Sequence, residues 1–528
     1  MQNHNEHAGC MCCGLSRRSF LASGCAACAG GALAGGFLPF SKNAYGEDAP
    51  GKMTVRVIFA LHAPVQPGPD WPNVGFDFQP VMENTMNALA AGCPDVVFLP
   101  TMANGTEQTQ EIVAKDAEAG NVDGYLVMQM NCWNTVVQTA VDTGKPVLYA
   151  DFLYAGSGGF LVYTSSMLRW KRPNFAFMSS GRIDDLVAAA GCFPLARGED
   201  GVAAFVQAVT DVRKSRTPEA PDMTCLEDNF ETLTTEELLK ELKGKKLLEF
   251  ESGWHGIADQ VRESLGIEIV RLPFAELNDA WEKADRAEAA KIVARWKEEA
   301  ESIEGISEET LEASARMVLA QKTILKAHDA SAITINCLGG FYGGHIHAYP
   351  CLAFHELQNE GLIGACECDT RSTLTMLVMT TLTKGRPGFI SDPVMDIASR
   401  EIIYAHCVAS KKVFGPEGPV NPFHILTHSE DRAGASVRAT LPAGYMTTTL
   451  ELAPERKQIL FHQAKAVGNS TEDRACRTKL AGAPVGDYEK LFTEWDSWGW
   501  HRVTFYGDLK AQVFALAEAL GWTVIEEA

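Results

Sequence analysis

The chain has 528 residues, 46% of them hydrophobic and 21% charged, with 25 Phe, 11 Tyr and 10 Trp. That is ample material for two or three packed domains, and it excludes a single small binding module, a disordered chain and a fibrous repeat. Lys plus Arg number 46 against 67 Asp plus Glu, a formal charge of −21, and so acidic a field sets nucleic acid aside as a partner because it repels phosphate backbones.

Residues 1–46 read apart from the rest. Five cysteines (Cys10, Cys12, Cys13, Cys25 and Cys28) fall among the first 30 residues, of fifteen in all. Ser16-Arg17-Arg18-Ser19-Phe20-Leu21, followed by a weakly apolar run to Phe40, resembles a twin-arginine export signal. Gly24, Gly30, Gly31, Gly35 and Gly36 dilute that run below the roughly 20 predominantly apolar residues of a membrane span. An export signal is therefore preferred to an uncleaved anchor, with cleavage after Ala34 or near Gly46. The expectation is a periplasmic or otherwise extracytoplasmic mature protein without a membrane segment. Because the twin-arginine route carries folded proteins, it also suits a metal site completed before export.

From Met53 onward, short apolar runs at Val55–Ala60, Asp95–Leu99, Tyr125–Met128 and Pro146–Ala150 suit buried parallel strands, and the gaps between them suit crossover helices. This predicts a first Rossmann-like domain over 47–215. It lacks a Gly-x-Gly-x-x-Gly after its first strand, and Gly156-Ser157-Gly158-Gly159 has neither the spacing nor the lysine of a phosphate cradle. Pro218 and Pro221 mark a linker. A second Rossmann-like domain is expected over 216–360, opening with a helix capped by Thr234 and Glu237. Strands are predicted at Leu247–Phe250, Ile267–Val270 and Ala332–Asn336. Beyond residue 361, β-prone segments alternate with Pro and Gly turns, so 361–528 reads as a β-rich C-terminal domain. The fold class is thus α/β.

Candidate chemistry gathers late in the chain, since eight of thirteen histidines lie at or beyond position 345. His345 and His347 follow a predicted strand end, where α/β folds present ligand groups. Glu367-Cys368-Asp369 sits in an apolar stretch that reads as a strand, and carboxylates so placed must be paired, protonated or metal-bound. On such a strand Arg371 would share a face with Asp369, and Cys366 and Cys368 would be too parallel to bridge. His501 begins an apolar strand near the C-terminus.

Taken together, Cys351–Gly361, Ala365-Cys366-Glu367-Cys368-Asp369, Leu374-Thr375-Met376, Leu382–Pro387 and His501–Asp508 resemble the signature blocks of L-fucose isomerase-like sugar isomerases. The resemblance runs over roughly residues 50–525 and is most specific around Glu367-x-Asp369 and His501. It implies two Rossmann-like domains with a β-rich third, a homo-oligomer, and a divalent metal, most commonly manganese, held by a Glu, an Asp and a C-terminal His. The Asp matches Asp369 and the His matches His501. The place of the Glu falls on Cys351, with Glu356 and Glu360 nearby.

Aldose–ketose interconversion moves a proton between adjacent carbons through an ene-diol, so it needs polarised oxygens and a base beside them. Asp369, Glu367 and Cys351 are the catalytic candidates, Asp369 and His501 the metal ligands, and His345, His347 and Arg371 the groups expected to hold sugar hydroxyls. A thiolate at Cys351 would tilt the site toward zinc or another softer metal. The expected function is an exported, metal-dependent sugar isomerase; the alternative is a carbohydrate-binding relative of that fold without turnover.

Overall fold

The structure, a computed structural model, describes residues 51–528 apart from 252, 254 and 255. The expected export signal lies outside the described residues. No helix among them is long and apolar enough to cross a membrane.

The first unit is a parallel sheet of β1 (Met53–Ala60), β2 (Val96–Ala103), β3 (Gly124–Gln129), β4 (Val147–Asp151) and β5 (Phe175–Met178), ordered β2-β1-β3-β4-β5. Its strands are apolar and buried throughout their centres because helices cover both faces. The glycine-rich stretch serves packing. A Cβ on Gly156 would lie 2.0 Å from the Gln129 carbonyl oxygen, and one on Gly159 would lie 1.7 Å from that of Cys132. Only glycine lets the helix Ser157–Arg169 approach β3 this closely.

A second parallel sheet follows, from β6 (Lys246–Phe250), β7 (Glu268–Leu272), β9 (Ala332–Ile335) and β10 (Ile363–Ala365) in the order β10-β9-β6-β7. Thr234 and Glu237 form the capping box of the helix Thr235–Leu242, each side chain bonding the other's backbone N–H. Because β10 is the edge strand of this sheet, the unit reaches past residue 360. The short β8 (Ser302–Glu304) belongs elsewhere, pairing with β13 (Phe423–Leu426), which in turn pairs with β14 (Ser436–Ala439).

The C-terminal region is built on a closed sheet. Strands β11 (Phe389–Asp396), β12 (Glu401–His406), β15 (Met446–Ala453), β16 (Gln458–Asn469), β17 (Thr478–Pro484) and β18 (Arg502–Tyr506) run β15-β18-β11-β12-β17-β16, and β16 pairs back onto β15. A six-stranded antiparallel barrel results, with β19 (Thr523–Glu526) added parallel to β16. Closure leaves the six strands without a bare edge. Register then places the chemistry: Ser391 pairs with Arg502 and Asp392 with Ala405, so Asp392 falls beside both His501 and His406 at the ends of β18 and β12.

Candidate active site

The expected strand through Glu367 is not present. The chain leaves β10 at Ala365 and turns sharply, with Glu367 at φ 63° and Cys368 at φ 53°, before entering the helix Thr370–Leu382. Two successive non-glycine residues in the left-handed region cost about 1–2 kcal/mol each, so the turn must be held by its surroundings. The Glu367 N–H donates to Cys337 Sγ at 3.4 Å, Cys337 and Cys366 sulfurs lie 3.1 Å apart, and Cys368 Sγ donates to the Phe250 carbonyl at 3.5 Å. Asp369 ends the turn as the helix cap, its Oδ1 accepting from the Ser372 N–H at 3.1 Å. Arg371 consequently stands on the first turn of a helix and shares no strand face with Asp369.

At the centre is His501, fully buried. Its Nδ1 lies 3.0 Å from Asp369 Oδ2 and its Nε2 lies 3.1 Å from Asp392 Oδ1. Glu367 stands 3.9 Å from both imidazoles, Oε2 toward His501 Nε2 and Oε1 toward His406 Nε2. Burial disfavours a charged His501, but the Asp369 and Asp392 carboxylates, with Glu367 beside them, outweigh it and hold its pKa well above the usual value. His406 behaves oppositely: burial dominates and lowers it, against the pull of Asp392 and Glu367. Its Nδ1 accepts the Cys407 N–H at 2.9 Å, which assigns the ring proton to Nε2, on the side of Glu367. Glu451 lies behind, receiving the Ser372 hydroxyl at 3.2 Å. Its burial, and then the charge of Asp369, push that carboxyl well above the normal range.

These donors suit a divalent cation. Ligand atoms of Asp392, His406 and His501 lie within 4.8 Å of one another, as do those of Cys366, Glu367 and His406. With its ring proton on Nε2, His406 borders this group while the lone pairs come from His501 and the carboxylates. Three buried carboxylates (Glu367, Asp369 and Asp392) crowd a site whose charge a protonated His501 only partly balances, so exchanging that proton for a divalent ion improves the balance. With Nδ1 donating to Asp369, His501 Nε2 is the nitrogen that faces Asp392, the arrangement in which a carboxylate orients an imidazole ligand.

The other expected residues fall variously. Cys351 begins the helix Cys351–Asn359, 1% exposed, with the Cys407 and Cys337 thiols and the Asp431 carboxylate as neighbours. Burial and those neighbours keep it a thiol, and the cysteine among the candidate ligand groups is Cys366. Glu356 is committed to Arg295 and to the Trp296 indole N–H, 2.9 Å away, and Glu360 to Lys322 on the surface. Neither therefore replaces the expected Glu. His345 and His347 do not directly follow a strand, since the short helix Cys337–Tyr342 intervenes. Their partners are on the helix Phe274–Glu282: His345 stacks on Phe274, and His347 meets Trp281 and lies 3.3 Å from Glu282. Arg371 is 5% exposed, is paired with Glu455, and keeps Nε and Nη1 buried without a hydrogen-bond partner among the described residues.

Asp392 and His406 went unmarked in the sequence. The available signal was an aspartate inside the apolar run Phe389–Met395, where a carboxylate needs a partner.

No family model matches the chain. It is 25% identical to a sulfoquinovose isomerase of Clostridium sp. strain MSTE9 over 218 residues, which is 40% of this chain and 47% of that protein. A sulfoquinovose isomerase of Alkalicoccus urumqiensis is 24% identical over 186 residues, 33% of this chain and 40% of that protein. One from Priestia aryabhattai is 19% identical over 269 residues, 50% of this chain and 58% of that protein. The chain thus spans about half the length of the curated relatives it matches. Among solved structures, a solute-binding protein from Bacillus halodurans with bound myo-inositol is 16% identical, covering 57% of this chain and 83% of that one at a TM-score of 0.17. A carbohydrate transporter from Acidothermus cellulolyticus with myo-inositol is 12% identical, covering 56% and 79% at 0.16. Scores this low carry no argument. What the comparisons establish is a distant, partial relationship to sugar isomerases.

Proposed function

We propose that the chain is a metal-dependent sugar isomerase that interconverts an aldose and a ketose at the His501 cluster. The observation that carries this reading is the convergence of Glu367, Asp369, Asp392 and His501, drawn from three distant stretches of sequence, on one buried point. The distant likeness to sulfoquinovose isomerases supports the reaction class.

Asp392 and His501 Nε2 would hold the cation, with Asp369 fixing the imidazole. A bound divalent ion, manganese in the first instance, supplies Lewis acidity that polarises the substrate's adjacent oxygens. Glu367, 3.9 Å from either imidazole, takes the proton from the hydroxyl-bearing carbon and returns it to the former carbonyl carbon, while the hydroxyl proton passes to the former carbonyl oxygen, as the ene-diol forms and collapses. His406 Nε2, 3.9 Å from Glu367, presents a polar ring beside the carboxylate. Arg371 offers its inner N–H groups to a hydroxyl or to an anionic substituent, making a sulfonated hexose the first derivative to test. Export through the twin-arginine-like segment and assembly into a homo-oligomer belong to the same proposal.

Elemental analysis of the purified chain, paired with a carbonyl-shift screen over sulfoquinovose, deoxyhexoses and pentoses with added manganese, tests it. Bound divalent metal and interconversion of one of these sugars are expected. A metal-loaded protein that converts none of them would argue for the carbohydrate-binding alternative.

A further inference from the structure

Several thiols of the chain spend their weak hydrogen bond on a carbonyl oxygen: Cys93 on that of Val187 at 3.4 Å, Cys192 on that of Ala188 at 3.6 Å and Cys368 on that of Phe250 at 3.5 Å. Cys337 and Cys366 face sulfur instead. Both are buried, and their sulfurs lie 3.1 Å apart although 29 positions of sequence separate them.

The fold brings the two together. β9 and β10 are neighbouring parallel strands, with Thr334 opposite Ala365 and the Thr334 hydroxyl donating to the Ala365 carbonyl at 3.1 Å. Cys366 follows Ala365 directly, and Cys337 opens the helix Cys337–Tyr342 after the Asn336 cap. Neighbouring strands run about 4.8 Å apart, inside the roughly 4.4–6.8 Å between Cα atoms that a disulfide spans. Drawing the sulfurs to the bonded distance of about 2.05 Å takes roughly 1 Å of movement. What such a bond would hold is the strained turn, because Glu367, next to Cys366, has φ 63° and its N–H donates to Cys337 Sγ at 3.4 Å.

We propose that Cys337 and Cys366 form a dithiol that closes to a disulfide under oxidising conditions and staples the turn carrying Glu367 to the end of β9. The oxidant is a second disulfide, of low molecular weight or carried by a protein, and an oxidising compartment favours the reaction. The Cys366 thiolate, from the more exposed of the two residues (4% against 0%), attacks one sulfur of that disulfide and expels a thiolate. The Cys337 thiolate then attacks the Cys366 sulfur of the mixed disulfide and expels the second. The protons given up by the two cysteines go to the two leaving thiolates, so two thiols are oxidised and one disulfide is reduced. Once oxidised, Cys366 has no thiolate to offer a cation, which leaves oxygen and imidazole donors at the His501 cluster. The inference stands whether or not that cluster turns over substrate.

The test exposes the full chain for hours to oxidised glutathione or to dithiothreitol, blocks the remaining thiols with N-ethylmaleimide in denaturant, and digests after Glu and aromatic residues. That cleavage frees 361–367, with Cys366, from Cys368, and parts Cys337 from Cys351 at Phe341 and Tyr342. Mass spectrometry should find a peptide linking Cys337 to Cys366 after oxidation and none after reduction. Amide hydrogen exchange over 365–369 should slow tenfold or more in the oxidised chain, and Cys337→Ser should show neither the link nor the slowing. Both cysteines alkylated after oxidation, glutathione left on Cys366, a link from either to another cysteine, or a link with unchanged exchange would each overturn the proposal. Should Cys337→Ser fail to fold, the linked peptide and the exchange of the parent chain decide alone.

Discussion

His501 Nδ1 lies 3.0 Å from Asp369 Oδ2 across 132 positions of sequence. The contact joins a helix cap at the edge of the second parallel sheet to the residue just before the barrel strand β18, so it sets the site at the junction of two folding units. Asp369 has both oxygens engaged, one by the Ser372 N–H and one by His501. It orients the imidazole while Asp392, on the neighbouring strand, faces the other nitrogen.

Asp369→Asn should therefore weaken metal binding roughly 10- to 100-fold, the usual effect of losing the group that orients a histidine ligand. His501→Ala should abolish it. Metal content after dialysis measures both; full occupancy in the two variants would remove His501 from the site.

Glu367→Gln keeps shape and removes the proton carrier. Turnover should fall by about 10²–10⁴-fold, the contribution of a placed acid–base group, while metal content stays near that of the parent. Loss of metal with no separate loss of rate would make Glu367 a ligand only.

Cys351→Glu tests the position at which family resemblance expects a carboxylate. The side chain is buried and feels the Cys407 and Cys337 thiols and the Asp431 carboxylate, so a glutamate there buries an unpaired charge near another. Destabilisation of about 3 kcal/mol is expected, with no gain in manganese affinity. A tighter metal site at unchanged melting temperature would show that this position faces the cation.

Stability should also respond to acid through Glu527, which pairs with Arg502, the residue following His501. Burial alone would raise the Glu527 carboxyl, but Arg502 and His462 outweigh it and hold it at about 2. A carboxyl depressed in the folded state stabilises the fold above its unfolded value near 4.5 and loses that contribution as pH falls toward 2. Glu527→Gln should cost about 3 kcal/mol at neutral pH, as removal of one partner from a buried pair does. Denaturant titrations at pH 7 and pH 3 would then show a smaller difference for the variant than for the parent.

The parallel sheets were legible because strands buried on both faces are written as continuous apolar runs, as at Val55–Ala60 and Ala332–Ile335. Barrel closure was not, since the pairing of β15 with β16 that completes the ring looks locally like any hairpin. Asp369 and His501 stood out by motif. Asp392 and His406 did not, because only the register of β11 against β12 and β18 brings them together. The turn at Glu367 and Cys368 was read as a strand because left-handed backbone at two non-glycine residues leaves no compositional trace. For the same reason Arg371 was given the wrong relation to Asp369. His345 and His347 were read as directly following a strand end, whereas a short helix after β9 intervenes and their rings meet Phe274 and Trp281.

The most direct measurement is solvent deuterium incorporation, read by NMR, when the manganese-loaded chain is incubated in D₂O with sulfoquinovose, deoxyhexoses and pentoses. Proton transfer through an ene-diol by Glu367 predicts deuterium at the carbon next to the carbonyl of one of these sugars, abolished by EDTA and by Glu367→Gln. A metal-loaded protein that neither interconverts nor labels any of them would contradict the account.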